Sequence, residues 1–402
     1  MGKIDKYIIS SSIFALFSED FSFRFIIDIK LFYLIIIINS IILIYKKDFV
    51  LNKKHFLVIS LFLAHGIITS IFINNILLSL LAQIMGISIS SFYYYNLLNN
   101  YGSKYVFEIY IKYAFFIALL AIPMFYLRIN VFVDGNRLNG ILNEPAHYAA
   151  IMLPAVFALL KRKQYYKFLL IVITILLSKS SIGYLGLLLI IMIPMIKAKY
   201  FLKYISILTI ISLFSFNYLN SKWDEPTNRE NSDVFVRRIK ETQESFNNGL
   251  KGKFKNGINL STYALLSNSF ITIESIKDNP LGTGLGSYHY QYDKYYSKMN
   301  PPKYLITLGE SKINRPDANS LFLRLLVDLG IFSIFLFFHF FMKAFNLFKM
   351  SKNDIQQSTF FYLVVKLIRE GHYFPPEFYF FLLIFLKDFN ENITHTRRLL
   401  LR

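Results

Sequence analysis

Apolar runs follow one another along most of the chain, separated by short polar turns. Ile29 to Tyr45, Phe56 to Ile73, Ile76 to about Leu98 and Tyr105 to Leu127 form a first group. Ala146 to Leu160, Tyr166 to Leu177, Ile182 to Ile196 and Phe201 to Leu219 form a second. A helix needs about 20 mostly apolar residues to cross hydrocarbon, and a soluble domain does not repeat runs of that kind. Tyr7 to Phe17 is shorter and is broken by Glu19, Asp20 and Arg24. It is either a short first crossing or an interfacial helix, and with no small-residue cleavage site it reads as a retained segment.

The pattern changes at about Asn220. From there to Asn319 the chain is a polar excursion, rich in Gly, Asp and Asn and holding the single Trp, Trp223. Apolar sequence returns in Leu321 to Phe341, Phe360 to Leu367 and Phe378 to Leu386, and a basic tail with Arg397, Arg398 and Arg402 ends the chain. The last two runs flank a charged, Pro-containing break from Arg369 to Pro376 and read as a hairpin dipping to the outer surface. Irregular backbone at membrane depth is tolerated only where protein or a water-filled cavity receives it, so the break is expected to line a site. The whole predicts an all-α polytopic integral membrane protein of about 10 to 12 transmembrane helices with one large extracytoplasmic loop. Its parts are an N-terminal bundle over 1–219, the loop over 220–318, and C-terminal helices with the broken hairpin over 319–402.

Charge sets the orientation. Lys46, Lys47, Lys53 and Lys54, then Lys104, Lys161-Arg162-Lys163, Lys197 and Lys199, and Lys343, Lys349 and Lys352 mark every second turn. Basic turns stay in the cytoplasm, which places the polar excursion outside it. The formal charge of +19 on 402 residues is thereby explained by topology and contact with anionic lipid, and no basic stripe with interleaved aromatics points to nucleic acid. The absence of Cys removes disulfides, thiol nucleophiles and Cys-ligated metals.

Four stretches carry candidate chemistry. Arg137 to Tyr148 holds Asn143-Glu144-Pro145, a helix N-terminus whose free N–H groups favour an anion, with Arg137 able to add a bidentate contact. Glu144 and His147, three apart, share a helix face; the alternative is an ordinary cap with a snorkelling Arg. Gly282-Thr283-Gly284-Leu285-Gly286 lacks the context of a nucleotide motif and offers only approachable backbone N–H groups, Gly284 centrally, for phosphate or sugar oxygens. The tyrosines after it (Tyr288, Tyr290, Tyr292, Tyr295, Tyr296) either stack on sugars or form an interfacial belt. Arg324 and Asp328, one turn apart, and the Arg369, Glu370 and His372 cluster put ionisable groups at membrane depth, where they are costly and usually functional; for Arg324 and Asp328 the alternative is an i, i+4 pair that fixes packing.

In their order, these stretches resemble the bacterial O-antigen polymerase/ligase superfamily, and most closely its polysaccharide-polymerase branch. The resemblance rests on Arg137 to Pro145, Ile258 to Asn268, Asn279 to His289, Asp317 to Leu326 through Gly330, and Gly371 to Phe374. It implies a glycosyltransferase without nucleotide sugar, metal or cofactor, set in the bacterial inner membrane with the loop periplasmic. Its donor would be an oligosaccharide on undecaprenyl pyrophosphate, transferred with inversion to a sugar hydroxyl, and a chain-length regulator and a flippase would be partners beside the lipid bilayer. The pyrophosphate calls for cations, for which Arg137, Arg315, Arg324 and Arg369 are candidates, and the hydroxyl calls for a base. Glu144, Asp317, His289 and His372 are the candidates for that base; His147, Asn268, Gly284 and Asn319 complete the expected substrate contacts. Ligases of the superfamily typically carry His in the segment matching Asp317 to Ser320, where this chain has Asn319, so the resemblance favours a polymerase over a ligase. A flippase is the rival from another class, but it would be expected to show short loops on both faces and repeat symmetry.

Overall fold

A computed structural model describes residues 2–18, 21–24, 28–73, 77–130, 136–195, 246–350 and 353–387. The expected span 201–219, the first part of the polar excursion to 245 with Trp223, the turn at 74–76 and the basic tail after 387 lie outside the described residues. What is described is a helical bundle carrying a helical loop layer, and its apolar helices make it a multi-pass membrane protein.

The helices are α1 Lys3–Ala15, α2 Leu31–Tyr45, α3 Lys53–Ile73, α4 Leu77–Tyr101 and α5 Ser103–Tyr126. They continue with α6 Pro145–Lys161, α7 Tyr165–Leu177 and α8 Ser181–Met192. Among the described residues, α3, α4, α5 and the later α13 (Phe332–Met350) are the four helices long and apolar enough to cross a membrane. Other apolar helices are shorter: the span expected over 29–45 is a helix of 15 residues, preceded by an antiparallel pair of three-residue strands, Ser22–Arg24 and Asp28–Lys30. Helix α1 packs on α2 and α5, and its Ser12 joins Asn39 of α2 and Tyr93 of α4 in a buried polar knot.

At the centre stand α6 and α14 (Asp354–Ile368), nearly every residue of which is buried. Small residues let the backbones approach here, Gly186 against Leu153 and Gly183 against Ala149; such contacts hold helices together where lipid offers no hydrophobic drive. By contrast, α3 is only 11% buried over its apolar window and α13 only 17%, so both present their apolar surface to lipid. One end of the bundle is tied by Arg162, which grips Glu108 of α5 and Asp354 of α14 at 2.8 Å each. Lys46 with Asp5, and Lys387 with the Leu98 carbonyl, lie at that same end.

The opposite end carries the loop layer: α9 Leu260–Asp278, α10 Tyr288–Tyr296 and α11 Lys303–Thr307. It has its own apolar core, in which Tyr288, Tyr292 and Tyr295 are fully buried with Tyr263, Phe254 and Phe270. These three tyrosines therefore neither form a lipid belt nor wait for a sugar. The chain then enters α12 (Leu321–Leu329), and the run expected as one span over 321–341 is broken at Gly330 before α13 begins. The hairpin is completed by α15 (Phe378–Leu386), which packs back on α14.

The break at Gly330 has a cause. The stretch 280–286 runs against the end of α12 and spends its backbone donors there: Thr283 N–H on the Val327 carbonyl at 3.0 Å and Gly284 N–H on that of Asp328 at 2.8 Å. In return, the Ile331 N–H reaches the Pro280 carbonyl at 2.9 Å. A Cβ on Gly282 would sit 2.5 Å from the Leu329 carbonyl carbon and 2.6 Å from the Gly330 nitrogen, so the two chains can approach only through glycine.

Candidate functional site

Three segments meet at the loop end of the bundle. The first is the start of α6, where Pro145 stands at the first helical position and Glu144 precedes it with extended backbone. The second is the end of the loop layer, from Ile313 to Asn319. The third is the break between α14 and α15. Together they enclose a cavity of about 300 Å³ lined by Glu144, His147, Asn314, Asp317, Asn319, Lys366, Arg369, Glu370 and His372, with apolar walls from Ala150, Ile182 and Val365.

The backbone around this cavity is under strain. Asn314, Ala318, Asn319 and Glu370 all have positive φ, at 56°, 64°, 56° and 84°. Asn tolerates this region; Ala and Glu do so at a cost of about 1–3 kcal/mol each, met only where surrounding structure enforces it. Enforcement comes from the close pairing of the last two segments. Glu370 N–H donates to the Asn319 carbonyl at 2.9 Å, and Ser320 Oγ to that of Leu367 at 2.7 Å. Gly371 lies so close to Asp317 that a Cβ there would overlap its carbonyl oxygen at 1.4 Å.

Charges of both signs face each other across the cavity. His372 Nε2 is 3.4 Å from Asp317 Oδ2, and Asp317 is 8% exposed. Lys366, wholly buried on the last turn of α14, is ion-paired with Glu370 four residues on. Arg369 is half-buried; burial, first, and the like charge of Arg137 lower its pKa from the ordinary 12.5, while Glu144 and Asp317 raise it. It remains a cation at any working pH. Arg137 donates through Nε to the Ser178 carbonyl at 3.1 Å, beside the cavity and not in its lining.

Glu144, His147, Asp317, Asn319, Arg369 and His372 are thus gathered in one place from three distant parts of the sequence. Five other candidates lie outside the cavity lining. Gly284 offers no free N–H, since Asp328 takes it; the neighbouring Gly286 N–H donates to Asp328 Oδ2 at 2.9 Å, so the anion that this turn holds is the protein's own. Arg324 is buried in the clamp that joins this turn to the break, donating to the Gly371 carbonyl at 2.9 Å and lying 4.2 Å from the Tyr373 ring. Its Asp328 partner, at 3.8 Å, also receives Ser287 Oγ at 3.1 Å and the Tyr373 hydroxyl at 2.8 Å. Asn268 is spent on the Ala264 carbonyl at 2.6 Å and the Tyr288 hydroxyl at 2.7 Å. Arg315 is held by Asp293, its Nε at 2.9 Å, which with Lys312 keeps that carboxyl below the usual range. His289 packs on Tyr290 at 3.8 Å outside the cavity lining. Conversely, sequence reasoning misses Lys366 and does not select Glu370. A lone Lys in an apolar run, four residues before a Glu, is the available signal.

A second cavity lies among the helices. It has about 340 Å³ and is lined almost wholly by apolar side chains of α3, α13, α14 and α15, among them Val58, Phe62, Phe337, Phe340 and Leu383. The two have no lining residue in common; α14 and the break contribute to both, Lys366 and His372 to the polar cavity, and Leu363, Leu367 and Tyr373 to the apolar one.

Comparison with known proteins adds one finding. Residues 167–338 match the family model described as O-antigen ligase. That match is consistent with the O-antigen polymerase/ligase superfamily and implies O-antigen ligase/polymerase-type function and glycosyltransferase-like activity in a general sense. It takes in Asn314, Asp317 and Asn319 of the cavity and leaves the α6 start and the α14–α15 break outside its bounds. No curated protein and no solved structure matches the chain.

Proposed function

We propose, from a chain whose residues 167–338 match the O-antigen ligase family, that the protein is an inner-membrane polysaccharide polymerase. In this reading it joins oligosaccharide repeat units carried on undecaprenyl pyrophosphate, with the loop layer on the periplasmic side and no metal needed. The observation that carries the proposal is a polar and an apolar cavity that both take side chains from α14 and the break after it. A polar, ion-lined cavity suits sugar hydroxyls and phosphates; an apolar one built partly from the same helix suits a polyprenyl chain. Few soluble metabolites would need both.

The chemistry follows from the groups present. The acceptor hydroxyl attacks the anomeric carbon of the donor glycan, the bond from that carbon to the pyrophosphate oxygen breaks, and the electron pair leaves with the pyrophosphate. Arg369, with Arg137 beside it, offsets the charge developing there without reorganising. A carboxylate or His372 in the same cavity receives the hydroxyl proton. Asn319 favours polymerase over ligase: it can donate or accept a hydrogen bond from a sugar but cannot take its proton at neutral pH.

Reconstitution tests this reading. The purified protein in lipid vesicles, given lipid-linked repeat units extracted from a strain lacking it, should produce a ladder of longer glycans and free undecaprenyl pyrophosphate. Unchanged single units under those conditions would refute it.

A further inference from the structure

The pair of Lys366 and Glu370 is a nearly buried ion pair in the cavity wall and has no role so far. Lys366 is a charge with 0% side-chain exposure at the end of a helix buried along its length. Glu370 holds a left-handed φ of 84° that a Glu does not choose. Both side chains line the cavity, and of the two only the Glu370 side chain retains exposure, at 11%. A buried ion pair is weak evidence for stability, because apolar residues in its place usually serve at least as well. Strain and buried charge at one point of a cavity wall argue instead for use.

We infer that Glu370 is the carboxylate that binds the acceptor hydroxyl and takes its proton, and that Lys366 is the positioning residue that orients it. This rests on the glycosyl-transfer reading. The other candidates are less suited. Glu144 stands exposed at the rim; Asp317 is engaged with His372 on one oxygen and with the Asn319 N–H at 3.3 Å on the other. Glu370 is fixed by the Asn319 carbonyl on its N–H, by the bridge to Ser320 and by Lys366 on its carboxylate. In the step, the acceptor oxygen bonds the anomeric carbon, its proton passes to the Glu370 carboxylate, and the pyrophosphate departs with the electron pair.

The test exploits the strain. In the double variant Lys366→Met/Glu370→Gly the pair is removed whole and glycine accepts the positive φ without cost. Detergent-solubilised double variant should melt at or above the wild-type temperature, while chain extension in the vesicle assay falls by about 10²–10⁴-fold, the range of a lost general base. Glu370→Gln, nearly the same shape, should lose extension to a similar degree, and Glu370→Asp should recover part of it. Lys366→Met alone removes the cation that favours the ionised carboxylate, so its acid limb should move to higher pH and extension should recover as pH rises. Arg369, His372, Asp317, Glu144 and His147, which also face Glu370 across the cavity, are unchanged in that variant. Extension within about 3-fold of wild type in Glu370→Gln, or in the double variant if it folds, overturns the inference. A wild-type protein that extends nothing would refute the glycosyl-transfer reading itself.

Discussion

Arg369 and Arg315 show how far a residue type falls short of a role. Both stand in the sequence as cations near an outer boundary, and on sequence grounds both serve a pyrophosphate. In the structure Arg369 lines the cavity, whereas Arg315 is committed to Asp293. Arg369→Ala should therefore cut chain extension by about 10²–10³-fold, the loss seen when one donor to a developing negative charge is removed. Arg315→Ala should change it by less than about 3-fold, since partly exposed pairs contribute about 0–1 kcal/mol. Equal losses in polymer ladders from the two strains would contradict the assignment. Six of the cavity's side chains are named from sequence on different grounds: Arg369 and His372 as ionisable groups at membrane depth, Glu144 and His147 from a helix start, and Asp317 and Asn319 only through the family resemblance. Which of several arginines has a local partner is not legible there, since Asp293 lies 22 positions away across a helix–loop contact.

The glycine run makes the same point for an element. From sequence, glycines at 282, 284 and 286 suggest backbone donors waiting for a ligand. In the fold Gly284 caps α12, Gly286 holds the Asp328 carboxylate and Gly282 closes its own turn on the Asn279 carbonyl, and the run is what divides the expected span 321–341 at Gly330. No periodicity signals this, because the apolar pattern of 321–341 continues through the break. The charged, Pro-containing interruption between α14 and α15 is visible in the sequence, and α15 packs back on α14 after it. The backbone atoms facing Gly282 cannot give way as a flexible side chain would. Gly282→Ala should thus destabilise the protein by about 1–3 kcal/mol or more, since its φ of 87° is strained for Ala besides. Thermal unfolding in detergent checks this; a melting temperature equal to wild type would mean that the loop does not bear on α12 as described.

For the whole molecule, the alternation of basic and neutral turns in the sequence becomes two ends of a bundle, one holding Arg162 with Glu108 and Asp354, the other the loop layer and the cavity. If the basic end is cytoplasmic, an impermeant thiol reagent added to intact spheroplasts should label Ser297→Cys in α10's exposed C-cap and spare Lys163→Cys. The reverse labelling would invert the orientation. That orientation in turn decides what a deletion strain should accumulate, and so separates polymerase from ligase. A cavity reached from the outer side meets repeat units only after they have crossed the membrane. A ligase in that position acts on finished polymer, so its loss leaves long glycan on undecaprenyl pyrophosphate and none on the final acceptor. A polymerase acts on single units, so its loss leaves at most one repeat on the acceptor, because initiation, export and ligation do not require it. With Asn319 in the cavity wall and no His among residues 317–320, the expected result is the second. Glycan analysis by gel and mass spectrometry would read it directly, and long lipid-linked polymer in the deletion strain would make this protein a ligase.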